Sequence, residues 1–423
     1  MNYTFKSLLR LLQNREIYKI RHKIIQRISP HSSLALHART QYIVERYRCT
    51  YREIQASQEV QARHTSETSI STITWFLPRF THIYFGGIYT ILRFASEITR
   101  IFGVTHQFVI TDTVPKDCLS TYENLISVAF NNLYTSTVVF CSDVDKVEQL
   151  VPTDACIATL WTTAYYALVF QQTKRKFYFI QDFEPSFYAA GSTSAQVEAT
   201  YHFGFFGVFN TEKLREFHER DYNKGNFAFK PCVDTHIFFP QQISSTRTLT
   251  QTIFFYARPT HPRNGFELGI AALKILKERL GTNVRIVTAG QDWDVRDYGL
   301  QGIIENLGLL SYHQTAELYR TCDVGLAMMF TKHPSYLPFE LMASGCLVVS
   351  NVNPATTWFL RDEINSLLSI PSADCIAERL MQGLQNKALR QRLVQTALTN
   401  IREKHTNWGD EVTRVYTYMC NAK

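Results

Sequence analysis

Pro338-Phe339-Glu340-Leu341-Met342-Ala343-Ser344-Gly345-Cys346-Leu347-Val348-Val349 reads as a helix, Pro338–Ser344, handing over to a strand, Cys346–Ser350. Ahead of it a strand at Val324–Met328, a helix at Gln314–Thr321, a strand at Val284–Ala289 ending at Gly290, a helix at Phe266–Leu280 and a strand at Thr252–Tyr256 alternate in turn. Such alternation is the rhythm of a parallel sheet covered on both faces, and it predicts an α/β domain of doubly wound type.

The same rhythm runs through the first half. Ile70-Ser71-Thr72-Ile73-Thr74-Trp75-Phe76-Leu77 is a strand bounded by Pro78, and Gly86-Gly87 opens a helix whose buried stripe is Ile88, Ile91, Leu92, Ala95, Ile98 and Phe102. Gly103 stands where a C-terminal cap is expected, and a strand returns at His106–Thr111, completing a βαβ unit. Further strands are expected at Val138–Cys141, Ile157–Leu160, Phe177–Gln181 and Phe203–Phe209. Residues 229–240 carry two prolines and little periodicity, as a linker would, so a domain boundary is placed near 240. The 423 residues thus divide into a basic helical extension (1–68), an N-terminal Rossmann-like domain (69–240), a second Rossmann-like domain (241–405) and a final helical segment (406–423). Two such domains facing each other place a ligand cleft between the carboxyl ends of both sheets.

The net charge of +7 is concentrated at the start: residues 1–30 hold seven basic side chains against the single acid Glu16. In the same stretch Leu8, Leu12, Ile17, Ile20, Ile24 and Ile28 recur at roughly helical spacing. Two accounts stand side by side, an interfacial helix lying on anionic lipid and a helix docked on its own domain with a solvated basic face. Basic residues confined to one terminal helix, without base-stacking aromatics along a groove, speak against a nucleic-acid partner. No run reaches the 18 or so apolar residues that span a bilayer, and charges break up any signal-peptide core, so a cytoplasmic chain is expected. Nine scattered cysteines without a C-x-x-C pair suggest neither zinc nor a disulfide framework.

Arg258 and Arg263 follow a strand end, where guanidinium groups can bind diphosphate oxygens bidentately; the alternative is a solvated pair on a surface turn. Glu340 sits near a helix start whose free N–H groups, from Ser335 to Phe339, can face an anion, and its carboxylate suits a ribose diol or merely complements the helix dipole. Asp182 and Glu184 lie at the end of a strand, positioned either to orient or deprotonate an acceptor hydroxyl or to serve as a helix N-terminal cap or in a salt-bridged loop. Gly86 and Gly87 serve any tight turn, or let the backbone approach a sugar diphosphate. His333 is a donor contact or a partner of a loop carbonyl, while His82 and His106 read as structural.

Several segments resemble family-four GT-B glycosyltransferases, in order and at fitting distances over roughly residues 70–410. They are Val233-Asp234 with Phe238 and Pro240, Tyr256-Ala257-Arg258-Pro259, Leu309-Leu310-Ser311, Leu318-Tyr319, Cys322-Asp323-Val324 and the opening stretch at 338–349. The wider family has an acid eight positions before Glu340; here Lys332 stands there, and no catalytic acid is carried over to it. Lys332-His333-Pro334-Ser335-Tyr336-Leu337-Pro338, with the segment Phe179–Ser192, instead resembles a narrower branch, the WsaF-type polysaccharide rhamnosyltransferases. The resemblance implies a retaining transfer of L-rhamnose from its thymidine diphosphate donor to a hydroxyl of a glycan or lipid-linked glycan. It further implies that Gly86, Gly87, Arg258, Arg263, His333, Ser335, Tyr336 and Glu340 bind donor, that Asp182 and Glu184 meet acceptor, and that Asp182 and Arg258 are catalytic. In that scheme the arginines neutralise the leaving diphosphate, so neither a divalent metal nor another cofactor is called for. Another donor sugar and a non-catalytic binding scaffold are the rival accounts. Helices at Asp374–Leu398 and Trp408–Met419 would finish the second domain and, by resemblance, cross back to the first.

Overall fold

The computed structural model describes residues 33–63, 69–83, 86–112, 118–241 and 250–422. The basic stretch 1–30, and with it the lipid-facing helix expected there, lies outside them.

The first sheet has seven strands: β1 (Thr72–Leu77), β2 (Thr105–Ile110), β3 (Thr137–Phe140), β4 (Thr153–Ala158), β5 (Thr173–Ile180), β6 (Phe206–Phe209) and β7 (Phe227–Ala228). They lie in the order β3-β2-β1-β4-β5-β6-β7, every pairing parallel. β1 is buried at every position after Thr72, because a parallel sheet carries helices on both faces and leaves no polar side. Its helices are α1 (Ser33–Arg46), α2 (Tyr51–Ala62), α3 (Gly86–Phe102), α4 (Leu119–Ala129), α5 (Trp161–Val169), α6 (Ser192–Ala199) and α7 (Glu212–Asp221). α3 buries Ile88, Ile91, Leu92, Ala95 and Ile98 of the expected stripe, while Phe102 is exposed and stacks on Tyr416; the helix ends at Gly103, whose positive φ and N–H bond to the Thr99 carbonyl form the cap.

The second sheet has six strands, β8 (Gln251–Tyr256), β9 (Val284–Ala289), β10 (Glu305–Asn306), β11 (Val324–Leu326), β12 (Leu347–Asn351) and β13 (Leu367–Ser369), ordered β10-β9-β8-β11-β12-β13 and parallel throughout. Around it pack α8 (Phe266–Leu280), α9 (Tyr312–Thr321), α10 (Leu337–Ala343), α11 (Ala373–Gln385), α12 (Lys387–Lys404) and α13 (Trp408–Asn421). In both sheets the order reverses beside one central strand, between β1 and β4 and between β8 and β11, and ligands of open α/β sheets bind at such switch points.

Three expectations are corrected. The strand expected at 203–209 begins only at Phe206, after a tight turn at Gly204 with φ +77°. The single helix expected over 374–398 is two, because Asn386 leaves the helical conformation and its Oδ1 accepts from Leu389 N at 3.0 Å, capping α12. The extension expected to end at 68 is, over its described part, built onto the first domain. Arg46 of α1 donates to Ser142 O and Tyr166 Oη, and Gln61 of α2 donates to Gly204 O. Among the described residues no helix is long and apolar enough to cross a membrane.

Candidate active site in the interdomain cleft

The carboxyl ends of both sheets open on a cleft of about 870 Å³ lined from one side by Gly86, Tyr89 and Thr90 and from the other by Tyr256, Gly290, Ser335, Tyr336 and Glu340. Gly86 and Gly87 are the first turn of α3; the start of this seventeen-residue helix presents free N–H groups and the positive end of its dipole. Gln181 Nε2 donates to Gly87 O, and a Cβ on Gly87 would meet this side chain only in ordinary contact at 3.4 Å. Tyr89 stacks on Tyr312 of the second domain with centroids 4.4 Å apart, closing one end of the cleft.

Glu340 lies on α10 and lines this cleft. Among the described residues nothing hydrogen-bonds or ion-pairs with its carboxyl, and burial alone pushes its pKa up to about 8. It is walled by Tyr312, Tyr319 and Tyr336, all of which feel its charge. A partly buried carboxyl without a protein partner avoids the cost of its charge by keeping its proton, and one open to a cavity can bond to a ligand there.

The turn before α10 is strained where it meets the cleft. Ser335 has φ +64°, rare for a residue with a side chain, and its N–H donates to His333 Nδ1 at 3.0 Å. That bond makes His333 the Nε2–H tautomer, and the buried Nε2 has no partner among the described residues. Burial holds the imidazole neutral, its pKa pushed down to about 3. Tyr336 donates to Asn210 Oδ1 at 3.0 Å and lies 6.1 Å, centroid to centroid, from Trp408.

Arg258 and Arg263 follow β8, but the structure separates them. Arg258 is buried against the Tyr256 ring, and its Nη2 bonds to His261 Nε2 at 2.6 Å. His261, pushed down to about 4 by burial and then by both arginines, is neutral and accepts that bond. Arg263 instead reaches the first domain, its guanidinium 4.6 Å above the Phe187 ring and close enough to lower the pKa of both Asp182 and Glu184.

The two acids of the β5 loop also part company. Asp182 grips the second domain: Oδ2 accepts from Thr331 Oγ1 at 2.6 Å and Oδ1 from Lys332 N at 3.2 Å. Burial raises it to about 6, with these bonds working the other way. Each oxygen thus bonds across to the second domain, so Asp182 ties the two domains together while each carboxylate oxygen keeps a further lone pair. Glu184, 3% exposed, accepts from Trp161 N at 2.7 Å at the start of α5 and from Tyr178 Oη at 3.3 Å. It caps a helix, one of the alternatives its position left open. Lys332, in the position of the wider family's acid, sets its ammonium 5.1 Å above the Phe217 ring of the first domain.

His106 is structural as expected, accepting from Trp75 Nε1 and bonding to Ala95 O within the core. His82 is not merely so. It lies after β1, and its pKa is lowered by burial and then by the charge of Arg258. His261, Asn210 and Trp408 were equally unforeseen. The rule that ligands meet strand ends at the switch point, applied to residues 78–83, would have selected His82.

Two doubly wound domains facing across such a cleft, with the last helix returned to the first domain, define the GT-B glycosyltransferase fold. Residues 78–212 match the model of the WsaF N-terminal domain and residues 251–381 that of the WsaF C-terminal domain, so the chain belongs to the WsaF family. It is 41% identical over 353 residues to the O-antigen biosynthesis protein RfbC of Myxococcus xanthus, a match covering 84% of this chain but 27% of that protein, so the chain spans about a quarter of its relative's length. Among solved structures, HepE of Anabaena in complex with UDP-glucose superposes with a TM-score of 0.65 at 12% identity, covering 82% of this chain and 98% of that one. The S. aureus TarM variant in complex with UDP and glycan ligands gives 0.65 at 10%, covering 83% and 100%.

Proposed function

We propose that this protein is a retaining glycosyltransferase that moves a hexose, L-rhamnose from its thymidine diphosphate donor, to a hydroxyl of a growing surface polysaccharide. The observation that carries it is the unpartnered Glu340 carboxyl facing a cleft whose opposite wall is the start of α3, with Arg258 packed behind the lining residue Tyr256. Glu340 takes the ribose hydroxyls, the glycine turn and Arg258 take the diphosphate, and the Nε2–H of His333 is available to a sugar oxygen. Charge builds on the departing diphosphate in the transition state, so a buried guanidinium there lowers the barrier without a metal, and the acceptor attacks on the face the diphosphate leaves. Asp182 acts as a positioning residue that holds the 331–333 loop against the first domain. Rhamnose as the sugar rests on membership of the WsaF family, and polysaccharide assembly on that membership with the likeness to the O-antigen protein. The reaction belongs on the cytoplasmic side of a membrane.

Calorimetric titration with thymidine, uridine, guanosine and adenosine diphosphates tests this, with Arg258→Ala and Glu340→Ala as controls. Selective thymidine diphosphate binding, lost in both variants, is expected. Preference for another base changes the donor and keeps the transfer, whereas binding of none of the four overturns the transferase and leaves a scaffold.

A further inference from the structure

A second cavity, of about 840 Å³, lies where the two domains, the linker and the returning chain meet. Its walls come from the start of α7, from Phe229 and Lys230 of the linker, from Trp358, Phe359 and Arg361 after β12, and from Lys404 at the end of α12. No residue lines both this chamber and the Glu340 cleft, yet the two are neighbours. Thr211 lines the chamber, and the adjacent Asn210 accepts from Tyr336, which lines the cleft.

Three cations and one acid line it, with Arg361 donating to Asn400 Oδ1 and the Glu411 carboxylate accepting from Lys230 N. Among the described residues Lys230, Arg361 and Lys404 have no acid within ion-pair distance, and Glu212, the acid at the rim, is taken by Arg215. Lys230 and Lys404 both bear on the buried His405, whose Nδ1 is tied to Pro231 O, so their positive charges converge on one spot. Gathering like charges around a cavity costs free energy that an anion returns. The floor is aromatic: Phe229 and Phe359 are buried, while Trp358 is 39% exposed with its indole N–H already given to Ala355 O, so it offers ring surface only. Cations that suit phosphate oxygens beside ring faces that suit sugar C–H surfaces describe one ligand chemistry.

We propose that this chamber binds a sugar phosphate and receives the phosphate-bearing part of the acceptor glycan, the acceptor role resting on the transferase function proposed above. A glycan anchored there extends past Asn210 into the cleft that holds the donor.

The test is calorimetric titration of the full chain with glucose 1-phosphate, inorganic phosphate and glucose, with and without saturating thymidine diphosphate. The variants are Lys230→Ala/Lys404→Ala, Arg361→Gln and, as a lesion of the donor slot, Glu340→Ala. Glucose 1-phosphate is expected to bind once per chain with the nucleotide already bound, to weaken about tenfold for each cation removed, and to be unaffected by Glu340→Ala. Displacement by the nucleotide, equal affinity for inorganic phosphate, wild-type affinity in both cation variants, or no binding at all would each overturn the proposal. Should thymidine diphosphate fail to bind while glucose 1-phosphate still binds and is lost in the cation variants, the chamber stands as a sugar-phosphate site and the transferase, with the acceptor role, falls.

Discussion

A carboxyl held at about 8 by burial is largely protonated at neutral pH, so Glu340 can both donate to and accept from a pair of hydroxyls. Its folded pKa lies above the unfolded value of 4.5, so the folded state binds more protons in the window between them, and stability is lost as pH rises through about 8. Glu340→Gln removes the titration: the ligand-free protein is expected to gain thermal stability at pH 8 relative to wild type and to show a flatter melting profile between pH values of about 5 and 8, while thymidine diphosphate affinity falls about tenfold. Melting curves across that range check it, and an unchanged slope would mean that the carboxyl is better solvated than its position indicates. Arg258 permits a sharper test of geometry, since lysine keeps the charge but not the fork. Arg258→Lys is expected to lose about tenfold or more in nucleotide affinity, read by the same titration, whereas equal binding would reduce the arginine to a point charge. Both residues were legible because each follows a recognisable strand end or opens a helix. His82 and His261 were not, because a lone histidine in a loop carries no period, and only the fold brings His261 onto Arg258 and His82 within reach of its charge.

Elements place these groups, and small residues let the elements approach. Gly325 in β11 lies under α10, where an added Cβ would come within 2.6 Å of Leu341 Cδ1, next in sequence to Glu340. Gly325→Ala must push α10 outward, costing about 1–3 kcal/mol of stability and weakening nucleotide binding, both measurable by urea unfolding and titration. Nucleotide affinity that survives a clear loss of stability would show that the slot tolerates movement of α10. The Asp182 clasp is likewise a property of two loops. In a double-mutant cycle, Asp182→Ala and Thr331→Val are expected to couple by about 0.5–3 kcal/mol in unfolding free energy and to share one loss of activity. If Asp182 were instead a base, Asp182→Asn would abolish turnover while Thr331→Val left it intact. The long amphipathic helix α3 and the core strands β1 and β8 could be read from sequence because their patterns run six residues or more. β7, β10 and β13, of two or three residues, offer no period to read and exist only because a neighbouring strand pairs with them.

At the scale of the whole molecule the end of the chain belongs to its beginning. Val412, Val415 and Met419 of α13 are buried in the same core as Trp75 and Phe94 of the first domain, and Tyr416 donates to Ile70 O at 2.7 Å. Arg175 of β5 donates to Met419 O at 3.4 Å and to Ala422 O. The same helix begins at Trp408, which packs on Phe94 of α3 and lines the donor cleft beside Tyr336. The second domain therefore reaches the first through the linker and through α13, and the cleft wall depends on the latter being seated. Val415→Ala with Met419→Ala should remove about 2–5 kcal/mol from the first domain's core for the methionine alone. Hydrogen exchange is expected to speed up in β1 to β5 while β8 to β13 keep their protection, and thymidine diphosphate affinity is expected to fall because Trp408 is no longer held. Equal loss of protection in both sheets would mean instead that the two domains unfold as one unit, with the crossing helix part of a shared core. Unchanged nucleotide binding despite a loosened α13 would separate the cleft from the chain end and leave Tyr336 alone responsible for that wall.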